Sequence, residues 1–203
     1  FALDMRDAEQ VEEAVRFAAS LGSLEAVVAN ASALTAGPIA EESMKRHDLV
    51  HAVNARGAYA LARASAGALR EGGHFVAIAP PLFYGSLKHL MRGRTAHLSS
   101  KLGMTFVAIG LASESKSIHS NALWPETLIR SAATEVHGLG SPEDWREPAI
   151  MGDALVALLE RKITGNCFLD THVLRSAGVR DFAKYRAVAE SEPPPAISTL
   201  PPS

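Results

Sequence analysis

The chain has 203 residues, 47% hydrophobic and 21% charged, enough apolar material for one core and too much for a disordered chain. Twenty basic against 22 acidic side chains give a formal charge of −2, which argues against a nucleic-acid or membrane-surface binder that works by bulk charge. A single cysteine, Cys167, excludes an intramolecular disulfide framework and a multi-cysteine zinc site, and no apolar run approaches the ~18–20 residues of a membrane span. With no basic-then-apolar N-terminus either, an intracellular soluble domain is expected.

Phe1-Ala2-Leu3-Asp4 reads as the end of a buried strand already in progress. Ala8, Val11, Ala14, Val15 and Ala18 have the spacing of an amphipathic helix over 8–21, with Asp7 as N-cap and Gly22 as stop. Leu24 to Ala29 is a short apolar run ending at Asn30, the pattern of a strand buried on both faces. A single helical stretch is predicted over 41–69, then a break at Gly72-Gly73 and a strand from His74 to Ala79. Further along, 95–114 reads as helix and Ile118 to Leu123 as strand, stopped by Trp124-Pro125. Pro148 to Arg161 follows as a helix, and Gly165 to Asp170 as a strand. Short strands separated by long helices imply a parallel α/β sheet. Residues 1–188 form the expected domain, and 189–203, with Pro193-Pro194-Pro195 and Pro201-Pro202, a Pro-rich tail expected to be disordered outside the core.

Open parallel sheets bind ligands beyond the carboxyl ends of their strands, so the residues there carry most information. Val28-Ala29-Asn30-Ala31-Ser32 resembles the Asn-Asn-Ala-Gly strand end of short-chain dehydrogenases/reductases, and Val53-Asn54-Ala55-Arg56-Gly57 that family's Val-Asn-x-x-Gly. His97-Leu98-Ser99-Ser100-Lys101 stands in the place of its Tyr-x-x-x-Lys. Ile78 to Leu82, Asn121 to Thr127, Thr164 to Asp170 and Ala177 to Tyr185 are similar to the hydroxysteroid-dehydrogenase-like 2 branch, and the resemblance runs from Asp4 to about Arg186. It implies a Rossmann-like three-layer sandwich with a parallel sheet, lacking the first βαβ nucleotide-binding unit. It also implies hydride transfer between NAD or NADP and a hydroxyl or carbonyl carbon of an apolar, lipid- or steroid-like substrate.

In the family a Tyr hydroxyl moves the proton, a Ser hydroxyl holds the substrate oxygen, a Lys tunes the Tyr and grips the nicotinamide ribose, and an Asn orders a relay water. Carried over position by position, Asn54 and Lys101 are retained, whereas the Tyr position is His97 and the Ser position is Ala79. Alanine cannot hydrogen-bond a substrate oxygen. Imidazole is a competent acid/base, but His97 lies one helical turn from Lys101, whose charge disfavours imidazolium. His97 is therefore weighed first as a helix-face residue with no chemical task, and second as the acid/base. Tyr84 and Ser86 are candidate replacement hydroxyls, while Ser99 and Ser100 are expected on other faces of the His97 helix.

For the cofactor, the family register implies contacts from Asp4 to the adenine amine and Met5 to its ring. Asn30, Ala31, Lys101, Thr127 and Ile129 complete the implied set. Four of them have a plainer reading: Asp4 turns the chain, Asn30 ties strands together, Lys101 is a solvated lysine, and Thr127 caps a helix over 128–136. The family's Thr-Gly-x-x-x-Gly-x-Gly phosphate turn is absent from the 203 residues, so dinucleotide binding is expected to be weak. Its absence also leaves the Leu24 to Asn30 strand with an apolar edge, explained by a longer product, a covering chain or a rearranged fold.

No metal is implied. His47 and His51 have an i, i+4 spacing but no third ligand, and Cys167 in a predicted strand reads as an inert core thiol. Lys88, His89, Arg92 and Arg94 form a basic cluster before the His97 helix, read as solvated surface. Together these readings describe a degenerate family member with little or no dehydrogenase activity, acting as a scaffold or regulatory subunit or as a fragment of a longer protein. A working oxidoreductase and a non-catalytic small-ligand binder are the alternatives, with a homodimer through the helices 41–69 and 95–114 implied by the resemblance.

Overall fold

The computed structural model describes residues 1–81 and 91–194; Tyr84, Ser86, Lys88 and His89 lie outside the described residues. Helix α1 (Ala8–Ser20) begins at Asp7, whose carboxylate accepts from the Glu9 and Gln10 amides, and buries Val11 and Val15. Strand β1 (Leu24–Ala29) follows. Next come α2 (Met44–His51), a π-helical segment Ala52–Arg56, and α3 (Gly57–Ala66), then strand β2 (Leu69–Ile78). Helix α4 (Thr95–Glu114), β3 (Ile118–Trp124), β4 (Leu128–Ile129), α5 (Ala132–Val136) and β5 (Trp145–Arg146) continue the chain. It finishes with α6 (Ala149–Leu159), β6 (Cys167–Leu169), α7 (Asp170–Ser176) and a 3-10 turn, Ala183–Tyr185.

Four strands form a parallel sheet in the order β1-β2-β3-β6. Side chains alternate across it. Phe75, Ala77 and Ala79 meet Ala58, Ala62, Met104 and Ala108 of α3 and α4 on one face. Val76 and Leu123 meet Ile150, Ala154, Leu158, Val173 and Leu174 of α6 and α7 on the other. This is the expected three-layer α/β sandwich, with α1 held to α3 by the Arg63–Glu12 ion pair at 2.6 Å. β1 is an edge strand, and its outer side has no strand partner among the described residues.

Several element boundaries depart from expectation, each for a local reason. Residues 1–4 form no strand: the Asp4 amide donates to the Gln10 side chain and its carbonyl accepts from Asp7, so both are spent at the start of α1. The helical stretch expected over 41–69 is three pieces, opened by Ser43, whose hydroxyl accepts from the Arg46 amide, and closed at Gly67. Gly72-Gly73 do not break the chain before a strand but form an irregularity within β2, where Leu69 still pairs with Leu24 and Gly72 takes φ +73°. The helix expected over 128–136 gives way to β4, which pairs with β5, and α5, capped by Ser131 rather than Thr127. Asp170 opens α7 instead of ending a strand. Of the tail, residues 189–194 are described: Pro193 is buried and Glu192 pairs with Arg186, so this part lies against the domain.

Candidate active site

At the carboxyl ends of β1 and β2, two helical segments carry three of the four predicted catalytic positions, Asn54, His97 and Lys101. On α4, His97, Leu98, Ser100, Lys101, Met104, Thr105 and Ala108 are buried, a stripe at helical spacing that turns polar groups as well as apolar ones inward. Gly103 allows α4 to lie directly on the π-helical segment, since a Cβ there would stand 2.7 Å from the Ala55 Cβ. That close approach sets Asn54, fully buried, against Ser100.

Asn54 uses its whole amide. Its Oδ1 accepts from the Ala33 N–H at 2.8 Å, and its Nδ2 donates to the Ala33 carbonyl at 2.9 Å and to the Ser100 hydroxyl at 2.8 Å. Ser100 in turn donates to the His97 carbonyl at 2.6 Å. The Ala33 carbonyl accepts a second bond from His97 Nδ1 at 3.1 Å. Asn54, Ser100, His97 and the segment after β1 thus form one connected network. Ser100 does not point to another face, because residues three apart on a helix are neighbours; Ser99 contacts His51 Nε2 at 3.1 Å.

The electrostatics of His97 follow from this setting. Burial and, next, the Lys101 ammonium push its pKa down to about 4, with Arg94 and His137 adding to the effect and the Ala33 bond opposing it. A carbonyl oxygen has no proton to give, so the bond assigns the ring hydrogen to Nδ1 and leaves Nε2 as an acceptor. Lys101 is buried too, and desolvation lowers its pKa to about 8. Its ammonium sits 5.6 Å from the centre of the Trp124 ring, so it is a core lysine and not a solvated one.

Ala79 extends the β2–β3 ladder, its amide donating to the Leu123 carbonyl at 3.0 Å, and its methyl lies in the core shared with α4. No hydroxyl stands at that position. The cofactor candidates divide in two. Asn30 and Ala31 are exposed just beyond β1, and the Asn30 side chain ties no strands together among the described residues. Thr127 is buried, its hydroxyl donating to the Leu128 carbonyl at 3.3 Å, and Ile129 is committed to the β4–β5 ladder. Asp4 borders a cavity of about 680 Å³ with Arg56 and Gln10, but both its oxygens are held by Arg6, which lowers its pKa to about 2. Met5 packs against Gly57, where a Cβ would come within 3.0 Å of the Met5 carbonyl. Lys101 and the strand-end residues therefore fit the nicotinamide-ribose end of a dinucleotide. At the adenosine end, Asp4 and Arg6 form an exposed ion pair beside the cavity.

Sequence reasoning missed three contributors. Ala33 acts through its backbone and leaves no signal, whereas Ser100 was visible as the residue three positions after His97 and Trp124 as the last residue of β3. His47 and His51 stack at 4.3 Å between ring centres, and among the described residues no group of three or more His, Cys, Asp or Glu is placed to hold a metal. Cys167 is half-buried against the α4-side core. Arg92 and Arg94 border a cavity of about 570 Å³; Arg92 is exposed, as expected of solvated surface, whereas Arg94 is partly buried and burial lowers its pKa.

A family model described as enoyl-(acyl carrier protein) reductase matches residues 1–157. Hydroxysteroid dehydrogenase-like protein 2 of Xenopus laevis is 33% identical over 198 residues, covering 94% of this chain and 47% of that protein. The chain belongs to the short-chain dehydrogenase/reductase family. The mouse protein of the same name is also 33% identical over 94% of this chain, which covers 40% of it, so the chain spans about half the length of these relatives or less. Among solved short-chain dehydrogenase/reductase folds, a putative dehydrogenase from Xanthomonas campestris superposes with a TM-score of 0.87 at 32% identity, covering 95% of this chain and 73% of that one. A short chain dehydrogenase from Mycobacterium thermoresistibile gives 0.84 at 32% identity, covering 95% and 71%. Among the described residues, no helix is long and apolar enough to cross a membrane.

Proposed function

We propose that this chain is a short-chain dehydrogenase/reductase with little or no dehydrogenase activity, serving as a scaffold or regulatory subunit. The observation that carries this reading is the bond from His97 Nδ1 to the Ala33 carbonyl. Reduction of a carbonyl needs a proton delivered to the new alkoxide. At neutral pH His97 is uncharged, its one ring proton is committed to Ala33, and Ala79 offers no hydroxyl to hold the substrate oxygen. Asn54 and Lys101 keep the family's positions, but neither replaces both missing hydroxyls. NAD or NADP is the cofactor that family membership points to.

The same bond favours one second reading. With Nε2 bare, His97 is a base in waiting, which suits oxidation of an alcohol on an apolar, lipid- or steroid-like substrate better than reduction of a ketone. A pKa of about 4 makes it a weak base at neutral pH. For partners, we propose a homodimer through α3 and α4, where Tyr59 and Phe106 are 64% and 62% exposed beside an apolar groove. The outer edge of β1 is a second surface for a covering chain.

The test compares NADPH- and NADH-dependent reduction of apolar ketones by the wild type and by the Ala79→Ser/His97→Tyr double variant. Nicotinamide fluorescence titration of both proteins separates lost cofactor binding from lost chemistry. A positioned acid is worth ~10²–10⁴-fold, so the wild type should run at about one hundredth of the double variant or slower. Measurable wild-type turnover equal to that of the double variant would overturn the proposal, whereas two inactive proteins that fail to bind the nicotinamide would place the loss at the cofactor. Alcohol oxidation by the wild type that His97→Gln abolishes would establish the second reading.

A further inference from the structure

Four arginines meet at the C-terminal side of the molecule, where Arg146 is the register partner of Ile129 in the β4–β5 ladder, and none of them belongs to the Asn54–Ser100–His97 network. Arg146 on β5 forms an antiparallel bridge with Arg186, secured by the Glu147 amide donating to the Tyr185 carbonyl at 2.7 Å and the Ala187 amide to that of Trp145 at 3.1 Å. Such a pair places both side chains on one face. The Phe182 ring lies between Arg146 and Arg175, whose guanidinium carbons are 5.4 and 5.1 Å from its centre. Arg180 donates to the Arg175 carbonyl at 3.0 Å, which holds it alongside. Between them lies a cavity of about 250 Å³ lined by Arg146, Arg175, Arg180, Arg186, Asp181 and Glu192.

The carboxylates nearby do not satisfy this set. Arg146 is 9% exposed and forms an ion pair with Glu126 at 3.7 Å, while Asp170 acts on it through its charge; its Nε and Nη1 have no close hydrogen-bond partner among the described residues. Asp181 accepts from the Ala183 amide at 2.8 Å. Glu192, exposed on the tail, pairs with Arg186 and with no other basic residue among the described residues. Arg175 and Arg180 have no carboxylate within ion-pair distance among the described residues. One carboxylate offers two acceptor oxygens to groups with five donors each, whereas a phosphate offers three or more with a double charge.

We propose that this cavity is a binding site for the phosphate group of a small molecule, with the exposed Glu192 carboxylate at its rim competing for Arg186. The rim pair of Glu192 with Arg186 leaves the inner guanidinium donors of Arg146 unused, and these favour a more highly charged group. The proposal does not depend on dehydrogenase activity. It is tested by calorimetric titration of the 203-residue chain with inorganic pyrophosphate at pH 7.5 and fixed ionic strength. Glu192→Gln removes the internal competitor and should bind pyrophosphate about tenfold more tightly than the wild type. Arg175→Ala/Arg180→Ala, at exposed positions, should bind about tenfold more weakly, and acetate should bind more weakly than pyrophosphate by a similar factor. No saturable binding to Glu192→Gln, binding unchanged in the double arginine variant, or acetate as tight as pyrophosphate would each overturn the proposal.

Discussion

Held neutral until about pH 4 in the fold but free to protonate near 6.5 when unfolded, His97 couples stability to acid. Between those values the unfolded chain binds more protons than the folded one. Stability from this residue is therefore fully present above about pH 6.5, falls as pH drops and stops falling below about pH 4. The shift is worth about 3 kcal/mol. His51 and His74 are lowered by burial too, so the informative quantity is the difference between wild type and His97→Gln in urea unfolding. That difference should shift toward the variant as pH falls from 6.5 to 4, and a constant difference would contradict the burial of a neutral ring. At this scale the sequence showed which side chains occupy the family's positions, because identity at a register position needs no coordinates. It did not show what they touch. The partner that fixes the His97 tautomer is the Ala33 backbone carbonyl, which no residue type announces.

Among the elements, the tightest fit is between α4 and the π-helical segment. Gly103→Ala places a Cβ 2.7 Å from that of Ala55 and should cost ~1–3 kcal/mol, read as a lower urea midpoint. Gly152 on α6 is exposed, with nothing within 4 Å of a Cβ. Gly152→Ala should therefore raise stability by ~0.5–1 kcal/mol, and equal effects at both sites would argue against the close helix approach. Periodicity was enough to place α1, β1, α4 and α6, because each carries its own inward stripe and stop signals. The π-helical segment, β4 with β5, and the irregularity at Gly72 escaped it, since they depend on residues far along the chain. Asn54 sits in the segment that periodicity smoothed into one long helix, so its place was read from the motif and not from the pattern.

For the molecule as a whole, family and layer order were legible because parallel strands separated by long helices admit few topologies. Partners were not. Tyr59 and Phe106 look like ordinary members of amphipathic helices until the fold leaves them on an open face. If α3 and α4 form the dimer, Phe106→Glu should weaken self-association at least tenfold by sedimentation analysis while leaving the unfolding midpoint nearly unchanged. Self-association unaffected by that change would point to the β1 edge instead. Whether His97 can take the missing tyrosine's part turns on one proton. Nitrogen-15 NMR of the His97 ring from pH 3 to 8 reads both its pKa and its tautomer without any substrate. A ring protonated on Nδ1, titrating near pH 4, is the predicted result; a proton on Nε2 with titration near 6.5 would contradict it and return His97 to the list of working acids.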